Sequence, residues 1–332
     1  MPPSKEWKEV VSDGEDARFL GYAEYLQGLQ RARAQKGRAL HLKQNLALKG
    51  ELVIDPDLPE PARHGLGARP GRYGVWVRLS NGSGASQPDP KGDLRGFALK
   101  VIGVDGKKVI PGMESARTQD LLFINHPITA MRNTDEFLAI VKGMQTPALL
   151  LPRLIGAVGF FRALAILKAA VKDLGFKMTS VATTDYFTAA PISWGPYAVK
   201  VKLEARAKPD PSAKAGGTPG YIGEELTSRV KANAVVYDLR IQHYVDPTST
   251  PIEEHDREWH SPWLTIGTLT LPAQDVTSPE GRALQAKVEA ASFDPWHALV
   301  EHRPLGNVMR ARNHAYRLST QERGAAAEPE QS

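Results

Sequence analysis

The sequence has no cysteine among its 332 residues. That excludes disulfides, zinc–thiolate sites, iron–sulfur clusters and a cysteine nucleophile. It fits a reducing compartment, so a cytoplasmic location is the expectation. No apolar core follows the start MPPSKEWKEVVSDGEDARF, as a Sec-type signal would require. Nor is there an apolar run of spanning length. The most apolar stretch, ALLLPRLIGAVGFFRALAIL (148–167), is broken by Pro152, Arg153 and Arg162 before it reaches the ~20 residues a membrane helix needs. It reads as a helical hairpin with a greasy face, expected to form core or a dimer contact, with lipid contact as the alternative.

Phosphate and nucleophile motifs are missing too. NGSGAS (81–86) is not GxGxxG, and neither GK[ST] nor GxSxG occurs. The net charge of +5 is a modest excess, with the Lys and Arg scattered rather than striped. Nucleic acid is therefore not expected as a partner, whereas small anionic groups such as carboxylates are. EEHDREWH (253–260) gathers acids with His255 and His260, but not at metal-binding helix spacing, and reads as a solvated loop.

What is present is alternation. HLKQNLALK (41–49), GVWVRLSNGSG (74–84), RGFALKVIG (95–103), QDLLFINHP (119–127), YAVKVKLEA (197–205), ANAVVYDLRIQHYV (232–245) and WLTIGTLTL (263–271) read as strands. DGKK (105–108) reads as a hairpin turn and KPDPSAKAGGTPG (208–220) as a long loop. Helical spacing marks an N-terminal arm (1–37, helical over 14–36), an insertion (135–176) and helices at 278–292 and 310–323. GAAAEPEQS reads as a disordered tail (325–332). An α+β chain follows: a single domain over 1–324, built on a closed or nearly closed antiparallel β-barrel with a helical insertion and flanking helices.

The last helix, RARNHAYRLSTQER (310–323), puts Tyr316 one turn after Arg312, with Arg323 two turns further on. Taken alone, Arg312 and Tyr316 are an ordinary i,i+4 pair. His41 alone is a structural histidine, and Arg78 alone a surface charge.

Taken together, and in order, these pieces resemble the catalase family. The resemblance rests on Arg38-x-x-His41-x-Lys43, VRLSNGSG, DLRGFALKV, the FDP of Phe293 to Pro295, and Arg312-x-x-x-Tyr316 with Arg323 seven residues beyond. It spans roughly 38–324, and the length is that of small catalase-like haem peroxidases. It implies haem b held inside the barrel by the last helix, with Tyr316 as the iron ligand. A free phenol, with a pKa of about 10, is neutral at pH 7; iron(III) and a nearby guanidinium such as Arg312 favour the anion. Arg38, Arg78 and Arg323 fall at positions that hold the haem propionates, and arginine is the side chain best suited to carboxylates. His41 matches the distal histidine, which moves a proton between peroxide oxygens on the way to a ferryl haem, and Ser80 matches the serine that orients it. The usual c-type attachment is excluded, since it needs cysteine.

The resemblance fails in one place. The family carries a distal asparagine in a Gly-Asn-Asn stretch. Here the region is PGMESARTQDLLFINHP (111–127), and Met113, Arg117 or Thr118 takes that position depending on the gap, with Thr118 the candidate. Asn125 lies too far along, and the aromatic that packs on haem falls near Ala130. Both departures point away from fast dismutation and toward a larger hydroperoxide. The implied function is a haem peroxidase reducing H2O2 or organic hydroperoxides with an organic electron donor, with weak catalase activity at most. The alternatives are rearrangement of fatty-acid hydroperoxides, as in allene oxide synthases, and a barrel that binds haem or lipid without turnover. A homodimer is implied by the resemblance alone.

Overall fold

The computed structural model describes residues 1–33 and 37–330. The end of the expected N-terminal arm (34–36) and the last two tail residues lie outside the described residues. The chain runs α1 (Glu15–Arg31), β1 (Gln44–Ile54), β2 (Gly71–Asn81), β3 (Arg95–Ile102), β4 (Thr118–Ile124), α2 (Thr134–Met144), α3 (Leu150–Val158) and α4 (Phe160–Leu174). It continues with β5 (Tyr186–Phe187), β6 (Ile192–Trp194), β7 (Tyr197–Ala205), α5 (Tyr221–Ala232), β8 (Val235–His243), β9 (Trp263–Leu271), α6 (Pro279–Ala290) and α7 (Asn307–Arg323).

The strands pair antiparallel in the order β5-β4-β3-β2-β1-β9-β8-β7-β6, and an added β5–β7 pairing closes the ring. This is the expected α+β barrel. Period-two alternation decides its two faces. On β2, Val75, Val77 and Leu79 enter the interior, and on β3, Phe97, Leu99 and Val101 do the same. Phe97 meets Phe123, Tyr186 and Tyr237 at tilted or edge-on angles there. The interior is filled by these side chains. The other face carries Arg78 and Ser80 on β2, both expected at the haem site, and their β3 neighbours Ala98 and Gly96. Arg78 and Ser80, expected to face the barrel interior, therefore stand on its outer wall.

Helix α7 is held by charge. The Arg310 guanidinium donates to Glu9 at 2.7 Å and also pairs with Glu15 and Glu253, tying the N-terminal segment and the 253 loop to the last helix. Trp296 Nε1 donates to the Met309 carbonyl at 2.7 Å. The helix packs along α1 and ends at Gly324, whose left-handed φ of 58° suits a glycine stop.

Several sequence expectations need correction. Strand β1 begins at Gln44, so His41 precedes it. No tight turn forms at 105–108; β3 and β4 are joined by the longer segment 103–117, in which Lys108 is buried. Helix α5 fills the stretch between the loop expected at 208–220 and the strand expected from 232, to which no element had been assigned. Its buried Tyr221, Ile222, Leu226 and Val230 fall at helical spacing, a signal hidden behind the glycine- and proline-rich residues before it. His255 is not solvated but buried, in a loop that packs Ile252 and Trp259 against Tyr244 and Leu305.

Residues 325–330 are not a free tail. The Ala326 N–H donates to the Ala290 carbonyl at 2.9 Å, and Glu328 accepts from Lys100 Nζ at 2.6 Å and from Thr118 Oγ1 at 2.8 Å. Lys100 is fully buried and also faces Asp120 at 2.8 Å. An ammonium taken out of water must be paired, and the tail supplies one of its two carboxylates. Burial pushes Asp120 up, while the Lys100 ammonium pulls it down. Burial acts on Glu328 in the same direction, but the Lys100 ammonium and then His297 outweigh it and hold its carboxyl below the usual value. Glu328→Ala is expected to cost about 1–3 kcal/mol at neutral pH. A carboxylate with a lowered folded value gives stability above the unfolded pKa and loses it as pH falls through the folded one. The difference between wild type and variant in thermal unfolding should therefore shrink under acid. An unchanged Tm at pH 7 would contradict the pairing.

Candidate active site

His41 sits in the left-handed region, with φ 54°, where a residue bearing a Cβ is costly. Its N–H donates to the Gly82 carbonyl at 3.0 Å, and its Nδ1 lies 3.0 Å from Ser80 Oγ. Gly96 makes room for it. A Cβ there would fall 2.5 Å from His41 Nδ1 and 2.8 Å from Ser80 Oγ. Burial, with the charges of Arg78, Arg312 and Arg38 added, lowers the imidazole to about 3, so the ring is neutral through the physiological range. Although deep in the molecule, His41 keeps accessible surface, and so do Ala98 and Leu122 in mid-strand and Arg312 and Tyr316 on α7. The charges of Arg78, Arg312 and Arg38 act on His41, and that of Tyr316 acts on Arg38 and Arg78, so these groups are neighbours, and the space between the outer barrel wall and the last helix is taken as the candidate recess.

On the helix side, Arg312 Nη2 donates to Tyr316 Oη at 2.8 Å, and the guanidinium lies 5.0 Å from the ring centroid. The sequence pairing is thus a real, partly buried contact.

At one rim of the recess Arg38, Arg78 and Arg323 converge on the C-terminal end of α6. Arg38 donates to Glu289 Oε1 at 2.6 Å and to the Ala291 carbonyl at 2.8 Å. Arg78 Nε donates to Glu289 Oε2 at 2.9 Å. Arg323 donates to the Ala290 and Ala291 carbonyls at 3.2 and 2.7 Å. The free carbonyls at a helix C-terminus suit cations. Burial, then Arg78 and Arg323, brings Arg38 down to about 9, still protonated at neutral pH. Sequence reasoning missed Glu289. Its one signal is position, one turn before the FDP run.

The expected distal candidate Thr118 is not brought to His41. It pairs with Ile102, six residues along β3 from Gly96, roughly 20 Å of strand. It is buried, and its hydroxyl meets His297 Nε2 at 2.6 Å and Glu328. Of the other alignments, Arg117 is exposed and pairs with Asp105 at 2.6 Å, and Met113 lies in the 103–117 connection. Asn125 Oδ1 accepts from the Arg95 N–H at 2.7 Å and so fixes β3 to the end of β4. Ala130 is buried and brings no aromatic.

The residues present fit a haem. Three guanidiniums against the single Glu289 carboxylate leave two positive charges, the number that two propionates balance. A phenol bonded to a guanidinium offers an oxygen ligand on one side of the recess, and a neutral imidazole stands on the other. Among the described residues, no group of three or more His, Asp or Glu is placed to hold a bare metal ion.

No family model matches the chain. In sequence it is similar to a catalase-related peroxidase of Mycolicibacterium paratuberculosis (strain ATCC BAA-968 / K-10), 27% identical over 274 residues, covering 76% of this chain and 80% of that protein. In structure it is similar to a bacterial catalase, with a TM-score of 0.65 at 17% identity over 97% of this chain. It is also similar to catalase A from Saccharomyces cerevisiae, with a TM-score of 0.66 at 15% identity over 98% of this chain. The chain spans 62% of the length of that bacterial catalase and 68% of the yeast enzyme. The solved structures show that the chain has the catalase fold, and in sequence it is similar to a catalase-related peroxidase.

Proposed function

We propose that this chain is a haem b-dependent peroxidase that reduces H2O2 or organic hydroperoxides to water and an alcohol, with two electrons from an organic donor. One observation carries the reading: the His41–Ser80 pair, the Arg312–Tyr316 pair and the convergence of Arg38, Arg78 and Arg323 on the end of α6 are close enough for their charges to act on one another. The printed name of the mycobacterial relative supports the same class.

In this reading Tyr316 holds the iron, and Arg312 stabilises its phenolate through the hydrogen bond. The three arginines take the propionates, with Glu289 fixing Arg38 and Arg78 in place. When bound, haem supplies the iron that receives the peroxide and the electrons that cleave it. His41 moves the proton. With Nδ1–H donating to Ser80 Oγ, Nε2 is left as a base. It accepts the proton of the hydroperoxide and returns it to the departing oxygen. The described distal polar groups are His41 and Ser80, with Thr118 bonded elsewhere, which supports weak dismutation at most.

A base that titrates near 3 is already in its working form at pH 5. The pH profile of kcat/KM is therefore expected to show no ionisation near the ordinary histidine value of about 6.5. A rate that falls as pH drops through 6.5 would contradict the buried, arginine-flanked placement of His41.

Product analysis tests the function. Haem-loaded protein given a fatty-acid hydroperoxide and a phenolic donor should yield the alcohol and oxidised donor in step. An epoxide or ketol formed without donor would move the chain to the rearranging enzymes.

A further inference from the structure

We propose that the α3–α4 hairpin is a docking surface for an anionic lipid bilayer. The two helices meet at Gly159, with φ 82°. Leu154, Ala163 and Ile166 turn inward and, with Ala139 and Ile140 of α2, form a small core separate from that of the barrel. The outward side is apolar. Leu151, Phe160, Phe161 and Leu164 are all exposed, and Phe161 retains 86% of its surface. On α4, Phe161, Leu164, Lys168 and Val171 recur at three- and four-residue steps and so form one stripe. Arg162 points the other way, to Glu136 at 2.6 Å and Asp256 at 2.9 Å, and anchors the hairpin to the body. The greasy stretch expected as core or dimer contact is core on one side only.

Charge decides what covers the other side. Between residues 142 and 177 the sequence has six Lys or Arg and one acid, Asp173. Asp173 faces His126 at 3.7 Å. Lys168, Lys172 and Lys177 are exposed beside the apolar stripe. A two-fold interface between copies would set this patch against itself, cation against cation. An anionic headgroup layer over acyl chains complements both features: phosphate and carboxylate groups for the lysines, and apolar depth for Phe160 and Phe161. Among the described residues no helix is long and apolar enough to cross a membrane, so the contact is peripheral. This reading does not depend on the haem assignment.

The test uses the full chain and vesicles of 70:30 phosphatidylcholine:phosphatidylserine, read by co-sedimentation, with pure phosphatidylcholine as comparison. Wild type is expected to pellet with the anionic vesicles and bind the neutral ones at least tenfold less. A double variant, Phe160→Ser with Phe161→Ser, should lose binding at least tenfold, as should Lys168→Glu with Lys172→Glu, both keeping the wild-type circular dichroism. Wild type left in the supernatant overturns the proposal, and so does binding that survives the phenylalanine change. A dimer that the phenylalanine variant splits, with no vesicle binding by wild type, would make the patch an interface between copies.

Discussion

Replacing His41 by alanine is expected to slow hydroperoxide reduction by about 10²–10⁴-fold, the range of a positioned general acid–base, while haem is still retained. The imidazole is bonded to Ser80 on the barrel wall and takes no part in the hydrogen bonds of Arg38, Arg78 and Arg323 at the end of α6 or in that between Arg312 and Tyr316. Its loss removes the proton carrier and leaves the grip on the cofactor. Ser80→Ala should fall between, since it frees the ring to turn without removing it; loss of such an outer partner typically costs roughly 10–100-fold. Gly96→Ala should resemble His41→Ala more than Ser80→Ala, because its methyl would displace the ring itself. The measurement is kcat/KM for a hydroperoxide in haem-loaded variants. If His41→Ala matched wild type, the proton-transfer mechanism would be wrong, and a barrel that binds haem without specific turnover would be the better account.

Replacing Tyr316 by phenylalanine is expected to weaken haem retention by more than the roughly 10–100-fold that an outer partner costs, because it removes the ligand atom itself. The change takes away one oxygen and little packing, since the side chain is only partly buried. The fold should therefore survive, with unchanged circular dichroism. Arg312 would lose the acceptor it now holds at 2.8 Å. Arg312→Ala should keep haem but alter its spectrum, because the phenolate loses the donor that stabilises it. Equal haem retention in Tyr316→Phe and wild type would assign the ligand elsewhere.

Much of this architecture is legible in the sequence for a physical reason. Alternation on β2 and β3 fixes which side chains share a wall, so Arg78 and Ser80 can be paired before any coordinates exist. Helical spacing does the same for Arg312 and Tyr316. What stays hidden depends on contacts between distant segments. Which face of a strand points inward is not set by alternation alone, and the haem site was accordingly expected inside a barrel that Phe97, Tyr186 and Tyr237 fill. Glu328 looks like part of a floppy tail until Lys100, more than two hundred residues earlier, is found buried against it. Thr118 looks like a distal residue until the register of β4 puts its hydroxyl on His297. Glu289 looks like one more helix-surface acid until two arginines from other elements reach it.

The central claim is that Tyr316 and the three arginines hold one haem in the recess. An optical titration of the purified wild-type chain with haem tests it most directly. The account predicts saturation at one haem per chain, with a Soret band and the high-spin ferric pattern of a tyrosinate ligand. No Soret band, or one that grows without saturating, would contradict it.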